Sequence, residues 1–289
     1  MQTQEREVYV GRYYGQHEID IMPELVRHYS ESVDDYNPWY TGDSPFGGPL
    51  APALILHSEV YRYSGWYLPN VYGNLHAKQE WELFQPVKVG ERVSTRSIIV
   101  DRYLKRDREY VVNEVSCFGA DGRLLNRGRT HQSFLVASGA GIVVDKEREK
   151  RPERRFEMGE GDVLEELPPV VKDVTLEMCQ KFSGPAKNYH NDLEAARQLG
   201  FPDIVVQGMM SLCFLSEMMT NRFGAGWYAG GRMSVNLVNV LWQKERTICR
   251  GSVREMTAEG SRRRAHLQVW CEKEDGTKTV VGTASALLE

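Results

Sequence analysis

A histidine and a glycine in the second half of the sequence, His190 and Gly208, are of the types that act on a carbonyl compound. Imidazole titrates near neutral pH, so His190 could be a general acid or base, or else a histidine kept for packing at a helix start. Gly208 opens an apolar run, GMMSLCFLSEMMTNRF, that is typical of a buried helix. A glycine at a helix N-terminus lets a carbonyl oxygen approach free backbone N–H groups, where the helix dipole favours negative charge.

Five further side chains are candidates for supporting roles. Asp35 and Tyr40 could form an acid/base pair, although Asp35 also fits a helix N-cap and Tyr40 a packed aromatic residue. Lys187 could direct positive charge toward an enolate or a carboxylate, although a lysine in a polar loop is usually solvated. Asn188 could position a water molecule, and Gln207 stands directly before the glycine of the helix start.

The elements that must position these residues occur twice. The segment from Leu83 to Val136 has β-branched runs separated by turns and predicts an antiparallel meander. The sequence near the C-terminus repeats this pattern. Asp275 follows Asp121, and Gly282 follows Gly128, by the same spacing, since 275 − 121 and 282 − 128 both give 154. The whole half is therefore expected to be duplicated, which makes the chain a tandem repeat of one domain.

An apolar stretch precedes each meander, PALILHSEVYRY from Pro52 and the run from Gly208, and each predicts a buried central helix. We therefore expect an α+β fold with two domains, one over 1–140 and one over 159–289. The segment 141–158 combines glycine with charges of both signs, which is typical of an exposed linker.

Composition excludes several classes of function. With 289 residues, of which 41% are hydrophobic and 26% charged, the chain fits a globular protein with two cores. Its net charge of −4 offers nucleic acid no overall attraction. The five cysteines have no metal-ligand spacing, and their odd number fits reduced thiols. Since no signal peptide or membrane-length apolar run is present, we expect a cytoplasmic protein without a metal or a membrane partner.

The stretch from Gly161 to Met219 resembles the second half of MaoC-like double-hotdog proteins, the group that contains the (R)-specific enoyl-CoA hydratases. The first half looks like the FAS1-like dehydratase domain that is often fused to it. Together the similarity runs from about Tyr9 to Leu288. The resemblance implies a tandem hotdog, with two antiparallel sheets that each wrap around a central helix.

The catalytic motif departs from the family pattern in both halves. In the family the motif runs Ser-Gly-Asp-x-Asn-Pro-x-His, and its Asp and His hold the water that adds across an enoyl double bond. The stretch SGPAKNYH keeps His190, but Pro185 stands at the Asp position. The stretch DYNPWY keeps Asp35 but has Tyr40 at the His position. The resemblance implies that each half serves its own end of the interface, so Asp35 and His190 are expected to lie apart.

The resemblance implies a lyase, a hydratase or dehydratase of an enoyl-CoA or related 2-enoyl or 3-hydroxyacyl thioester in fatty acid metabolism. His190 would be the acid/base and the Gly208 backbone N–H the oxyanion donor. Gln207 replaces the histidine of the family's His-Gly-Met segment, and Gln207, Asn188 and Lys187 would contact the substrate. No cofactor is expected apart from coenzyme A or an acyl carrier protein, which would carry the acyl group of the substrate.

Two alternatives stay open because both motifs are altered. One is a hotdog enzyme of different chemistry, such as a thioesterase or an isomerase. The other is a subunit that binds acyl thioesters without catalysis. The sequence also leaves open whether two chains form a homodimer.

Overall fold

The computed structural model describes residues 7–63, 65–68, 74–106, 108–135 and 161–288. Over these residues the chain is α+β, and its strands pair antiparallel into one eleven-stranded sheet. The strands are β1 (Tyr13–Asp20), β2 (Leu75–Leu83), β3 (Arg92–Lys105), β4 (Arg108–Gly119), β5 (Leu124–Leu135), β6 (Glu165–Glu166), β7 (Val170–Asp173), β8 (Arg232–Leu237), β9 (Arg246–Glu259), β10 (Arg262–Lys273) and β11 (Lys278–Leu288). The helices are α1 (Pro23–Val33), α2 (Glu59–Arg62), α3 (Leu176–Ser183), α4 (Leu193–Gln198), α5 (Gly208–Phe223) and α6 (Ala225–Tyr228), with a 3₁₀ turn at Pro38–Tyr40. The order along the sheet is β1-β3-β4-β5-β2-β8-β11-β10-β9-β6, and β7 also pairs with β9.

The two predicted meanders are confirmed. Strands β3, β4 and β5 pair in succession in the first half, and β9, β10 and β11 do so in the second. Gly122 and Gly276 lie in the matching hairpin turns with φ of +82° and +83°. Glycine adopts this left-handed region without steric cost, which is why an Asp-Gly pair marks the turn in each half.

The two halves meet at a pseudo-two-fold axis in the middle of the sheet. Strand β2 pairs with β8, and Glu80 lies opposite Ser234 at the centre of the pairing. These two residues are separated by the same spacing as the sequence repeat, since 234 − 80 = 154. A residue pair at this position is what a two-fold relation between the halves requires. The predicted linker 141–158 lies outside the described residues.

The second half wraps its sheet around α5. Most side chains of this helix are buried, and Met209, Met210, Met218 and Met219 are each at most 1% exposed. The methionines therefore belong to the core, where burial of each contributes about 1.5–3 kcal/mol. This packing holds α5 in place and so fixes the position of its N-terminus.

The first half has the same antiparallel strand pairing as the second. The continuous helix predicted over 52–63, however, does not form. The backbone makes consecutive turns instead, with hydrogen bonds of 2.9 Å from the Ile55 N–H to the Pro52 carbonyl and from the His57 N–H to the Leu54 carbonyl. Only α2 is helical. The Nδ1 of His57 also bonds to the Leu54 carbonyl at 3.0 Å. This bond competes for the acceptor that an α-helix would need, which gives a local reason for the turns.

No helix in the described part of the chain is long and apolar enough to cross a membrane. The five cysteines are buried free thiols, and Cys249 faces Cys271 across β9 and β10 with the Sγ atoms 3.4 Å apart. Burial raises the pKa of Cys213 to about 12. A thiol that keeps its proton is a poor nucleophile, so this cysteine is not a candidate for covalent chemistry.

Candidate active site

The N-terminus of α5 is the best-formed site for an oxyanion. Gln207 precedes the helix with extended backbone angles, and Gly208 is its first residue. The first N–H groups of a helix have no acceptor within it, and the dipole of this 16-residue helix adds positive potential there. A Cβ on Gly208 would lie 1.9 Å from Cδ2 of Leu237. Only glycine therefore fits under Leu237 as it stands.

His190 lies in the loop between α3 and α4, beside the chain that enters α5. Its Nδ1 is 2.7 Å from the carbonyl oxygen of Val205, three residues before Gly208. Because a carbonyl only accepts, Nδ1 carries the proton and Nε2 keeps an unprotonated lone pair. Burial lowers the pKa of His190 to about 4. The ring is therefore neutral at pH 7, and Nε2 can act as a proton acceptor.

The other side chains predicted around His190 mainly build its loop. The Asn188 amide donates 2.9 Å hydrogen bonds to the carbonyls of Ser183 and Ala186, and its Oδ1 accepts the His190 N–H at 2.8 Å. This network fixes the loop and leaves Asn188 little capacity for a water molecule. The loop therefore presents the imidazole in one orientation.

Lys187 and Gln207 occupy different surroundings. The Lys187 side chain is 81% exposed and forms an ion pair with Asp192 at 3.2 Å, so it points into solvent. Gln207 accepts a long hydrogen bond of 3.4 Å from the Ser183 hydroxyl. Gln207 therefore stays beside the start of α5, whereas nothing in the geometry directs Lys187 toward it.

Asp35 and Tyr40 form the expected pair, but inside the core. The Tyr40 hydroxyl donates to Asp35 Oδ2 at 2.6 Å, and the two residues are 6% and 5% exposed. Burial raises the pKa of Asp35 above its ordinary value, and Tyr40 lowers it in part. Asp35 is close enough to Cys213 and Glu217 of α5 to raise their pKa values. It therefore lies beside the middle of α5.

The structure does not bring Asp35 and His190 together. Among the described residues, no hydrogen bond joins Asp35 to His190. Cys213, whose pKa Asp35 raises, lies about 7.5 Å along the axis of α5 from Gly208 at 1.5 Å per residue. His190 is tied to the other end, through Val205. A single dyad made from the surviving half of each motif is therefore not formed.

His76 is a functional candidate that the sequence reasoning missed. It lies in β2, in the first half, yet its Nδ1 is 3.8 Å from the point that a Cβ of Gly208 would occupy. The pairing of β2 with β5 shifts between His76 and Lys78, where Ala77 forms a β-bulge. A bulge reverses which face the following side chains point to. His76 is thus turned onto the helix side of the sheet.

The polar alternation of β2 hides this placement. Lys78, Glu80 and Glu82 recur at every second position, and His76 continues the series. Simple alternation therefore predicts that His76 points away from the helices with those charged residues. No sequence signal marks the bulge at Ala77, so only the pairing in the structure reveals it.

The hydrogen bonds of His76 fix its protonation. Its Nε2 is 3.0 Å from Gln79 Oε1, which also accepts the Thr130 hydroxyl at 2.8 Å, while Gln79 Nε2 donates to the Glu80 carbonyl at 3.2 Å. Because the amide nitrogen must face that carbonyl, Oε1 faces the ring and Nε2 of His76 carries the proton. Burial lowers the pKa of His76 to about 4. Nδ1 is therefore unprotonated at pH 7.

Three tyrosines line the space next to the two histidines. The Tyr189 ring lies against that of His190 with centroids 3.9 Å apart, and the Tyr61 hydroxyl is 3.5 Å from His76 Nδ1. Tyr189 is close enough to Tyr61 and Tyr67 to raise their pKa values, a smaller effect than burial. All three hydroxyls keep their protons. The two histidines are thus neighboured by aromatic rings that carry hydrogen-bond donors.

Metal chemistry has no obvious donor set within the described ranges, since no group of three or more histidine, cysteine, aspartate or glutamate side chains is placed to hold an ion. The chemical groups at the site are two neutral imidazoles, tyrosine hydroxyls and a helix N-terminus. Together they can move protons and stabilise a negative oxygen.

No protein-family model and no curated protein matches the sequence. Solved structures match over nearly its whole length. A MaoC-like dehydratase from Phytophthora capsici matches with a TM-score of 0.73 at 14% identity, over 99% of this chain and 98% of that chain. The peroxisomal multifunctional enzyme type 2 of Drosophila melanogaster matches with a TM-score of 0.66 at 16% identity, over 94% of this chain and 48% of that chain.

A protein from Mycobacterium tuberculosis described as having a double hotdog fold matches with a TM-score of 0.63 at 11% identity, over 97% of this chain and 96% of that chain. Identities this low establish a shared fold, and the predicted tandem hotdog is confirmed. The chain therefore has the double-hotdog fold of MaoC-like dehydratases.

Proposed function

We propose that the chain is a hydro-lyase that adds water reversibly to the double bond of a 2-enoyl thioester, and so also dehydrates 3-hydroxyacyl thioesters. The observation that carries the proposal is a neutral imidazole, His190, held beside the helix N-terminus at Gly208. Proton transfer and oxyanion stabilisation are the two demands of this reaction, and these groups supply one each.

In the hydration direction, the thioester carbonyl oxygen accepts a hydrogen bond from the Gly208 N–H. Nε2 of His190 removes a proton from water as the water oxygen bonds to Cβ. The π electrons move toward Cα, and the negative charge develops on the carbonyl oxygen at the N-terminus of α5. The His190 imidazolium then delivers its proton to Cα. The thioester bond stays intact, and dehydration is the reverse of these steps.

The size of each contribution follows from comparable sites. General acid/base catalysis by one side chain typically contributes about 10²–10⁴-fold in rate. One oxyanion donor contributes about 10²–10³-fold. Coenzyme A or an acyl carrier protein would be the thioester's carrier, and no resident cofactor takes part in the steps above.

The exposed Pro185, which stands where the family has its carboxylate, favours a second candidate. A hotdog enzyme that hydrolyses or isomerises a thioester would not need that carboxylate, and a non-catalytic binding subunit would need neither group. Release of free thiol from acyl-CoAs distinguishes a thioesterase, because hydration leaves the thioester whole. An isomerase would move the double bond without gain of water, which the product mass shows.

The proposal is tested by incubating the protein with 2-enoyl-CoAs of increasing chain length and following loss of the conjugated enoyl absorbance. We expect hydration by the wild type and a loss of about 100-fold or more in kcat for His190→Ala. Circular dichroism of both proteins checks that the variant is folded. Absence of hydration at every chain length, with a known hydratase active in parallel, would contradict the proposal. Wild-type turnover by His190→Ala would remove His190 from it.

A further inference from the structure

His76 meets His190 at the same helix N-terminus although the two belong to different halves of the chain. The bulge at Ala77 points His76 toward Gly208, and His190 is hydrogen-bonded to Val205, three residues before that glycine. A positive charge on His131 or, to a smaller extent, on His190 would lower the pKa of His76, so both rings lie near it. The pseudo-two-fold interface therefore brings an imidazole from each half to one site.

Each ring leaves one nitrogen as an acceptor. Nδ1 of His190 and Nε2 of His76 are both used as donors, to the Val205 carbonyl and to Gln79 Oε1. The remaining nitrogens, Nε2 of His190 and Nδ1 of His76, are both unprotonated acceptors. A water molecule has two hydrogens to donate, so two such acceptors could hold one water in a defined orientation.

The support behind His76 distinguishes it from a histidine kept only for packing. Its Nε2 is held by Gln79, which is 1% exposed and is itself fixed by the buried Thr130 hydroxyl. Nδ1 has as its nearest donor the Tyr61 hydroxyl at 3.5 Å, the long limit of a hydrogen bond. One side of the ring is thus firmly anchored, whereas the other makes only this long contact.

We propose that His76 supplies the acceptor that Pro185 cannot: its Nδ1 holds one hydrogen of the attacking water while Nε2 of His190 takes the other as a proton. This inference rests on the proposed hydro-lyase function. His190 breaks the O–H bond, the water oxygen bonds to Cβ, and the proton returns from His190 to Cα. His76 keeps its tautomer throughout and acts by orienting the water, so atoms and charge balance as in the steps above.

Two substitutions at His76 test this role, because they preserve different atoms of the ring. An asparagine side chain places its Oδ1 near the position of Nδ1, so His76→Asn keeps an acceptor for water. A glutamine reaches the position of Nε2, so His76→Gln keeps the contact with Gln79 and loses that acceptor. We expect His76→Gln to lose about 100-fold in kcat with KM little changed, and His76→Asn to lose clearly less.

His131→Gln is the matched control. His131 is also near His76, but it lies opposite Lys78 in the pairing of β2 and β5, and its own hydrogen bonds go to Glu80 and Tyr103. The same substitution there should leave kcat within about twofold of the wild type. Thermal unfolding of all variants separates loss of activity from loss of structure.

Each result decides between the explanations. A larger loss for His76→Gln than for His76→Asn, at similar melting temperatures, supports the water-orienting role. Equal losses that follow the melting temperatures would mean that His76 only packs, and wild-type kcat in both variants would overturn the inference while leaving the hydro-lyase function standing. Absence of hydration by the wild type itself would overturn the function and the inference together, so the two failures are distinguishable.

Discussion

His190 in the second half and the Asp35–Tyr40 pair in the first half occupy corresponding motif positions, yet their surroundings are opposite. His190 is partly exposed, with one ring nitrogen bonded to Val205 and the other available. Asp35 and Tyr40 are bonded to each other and almost completely buried. A group that must receive a substrate needs an open hydrogen-bonding position, and of these three residues only His190 has one.

The residues that each half contributes to the site of the other half also differ. The second-half site receives His76 from β2, whereas the equivalent residue just before β8 is Gly231 once the extra residue of the bulge is counted, since 231 − 77 = 154. In the first half the buried Tyr228 ring packs instead against Trp39 and Phe46, with centroids 6.0 and 6.5 Å away. Aromatic packing thus takes the place in the first-half site that a histidine has in the second-half site.

The largest loss of activity is expected at Gly208, the start of the long central helix α5. Gly208→Ala places a methyl group beside the backbone N–H that the thioester oxygen must reach, and kcat/KM should fall by about 100-fold. The new Cβ also meets Cδ2 of Leu237. We therefore expect Gly208→Ala combined with Leu237→Ala to recover thermal stability without recovering hydration, with Leu237→Ala alone as the control. Recovery of hydration by the double variant would show that the methyl only displaced Leu237.

The pH dependence of kcat/KM gives a smaller effect that distinguishes His190 from a histidine of ordinary pKa. Burial lowers the pKa of His190 to about 4, so its neutral, basic form persists below neutral pH. We expect kcat/KM for hydration at pH 5 to stay within about twofold of its value at pH 7, whereas a histidine of ordinary pKa would lose roughly 30-fold. A midpoint near pH 6.5 in this profile, with the protein folded throughout, would place the proton acceptor elsewhere.

The same burial makes the stability of the fold pH-dependent. An unfolded histidine binds protons at higher pH than the buried rings of His57, His76 and His190, whose pKa values are all lowered to about 4. Their neutral state in the fold therefore contributes stability above the ordinary histidine pKa, and this contribution is lost as pH falls toward 4. The kcat/KM profile is consequently measured with unfolding followed at each pH.

The smallest effect on activity is expected in the first half. Tyr40→Phe removes the hydroxyl that donates to Asp35 at 2.6 Å and leaves a buried carboxylate without that donor. The free energy of unfolding should fall by about 1–3 kcal/mol. Hydration should be unchanged once the protein is folded. Urea unfolding and the hydration assay measure the two quantities, and a loss of hydration at unchanged stability would instead assign chemistry to the first half.

Much of the fold could be predicted because the duplication is visible as a constant spacing between equivalent residues in the sequence. The Asp-Gly turns at Asp121 and Asp275 carry the repeat spacing, and the same spacing relates Glu80 to Ser234 across the axis. The apolar composition of residues 52–63 predicted a helix, and that prediction was wrong. There the His57 side chain bonds to a backbone carbonyl, a local competition that periodicity does not register.

The candidate site was only partly predictable for a related reason. His190 and Gly208 are recognisable because each lies in a motif of consecutive residues. His76 reaches the same place through a bulge and through pairing between halves that are far apart in sequence. Lys187 shows the converse, since its charge suggests a role that its exposure and its bond to Asp192 do not favour.

A crystal structure with a stable 3-hydroxyacyl-CoA or a close analogue bound would test most directly the claim that the second half holds the working site. We expect the thioester oxygen within hydrogen-bonding distance of the Gly208 nitrogen, and the 3-hydroxyl oxygen between Nε2 of His190 and Nδ1 of His76. An acyl group bound beside Asp35 and Tyr40 instead, with the N-terminus of α5 unoccupied, would contradict the account.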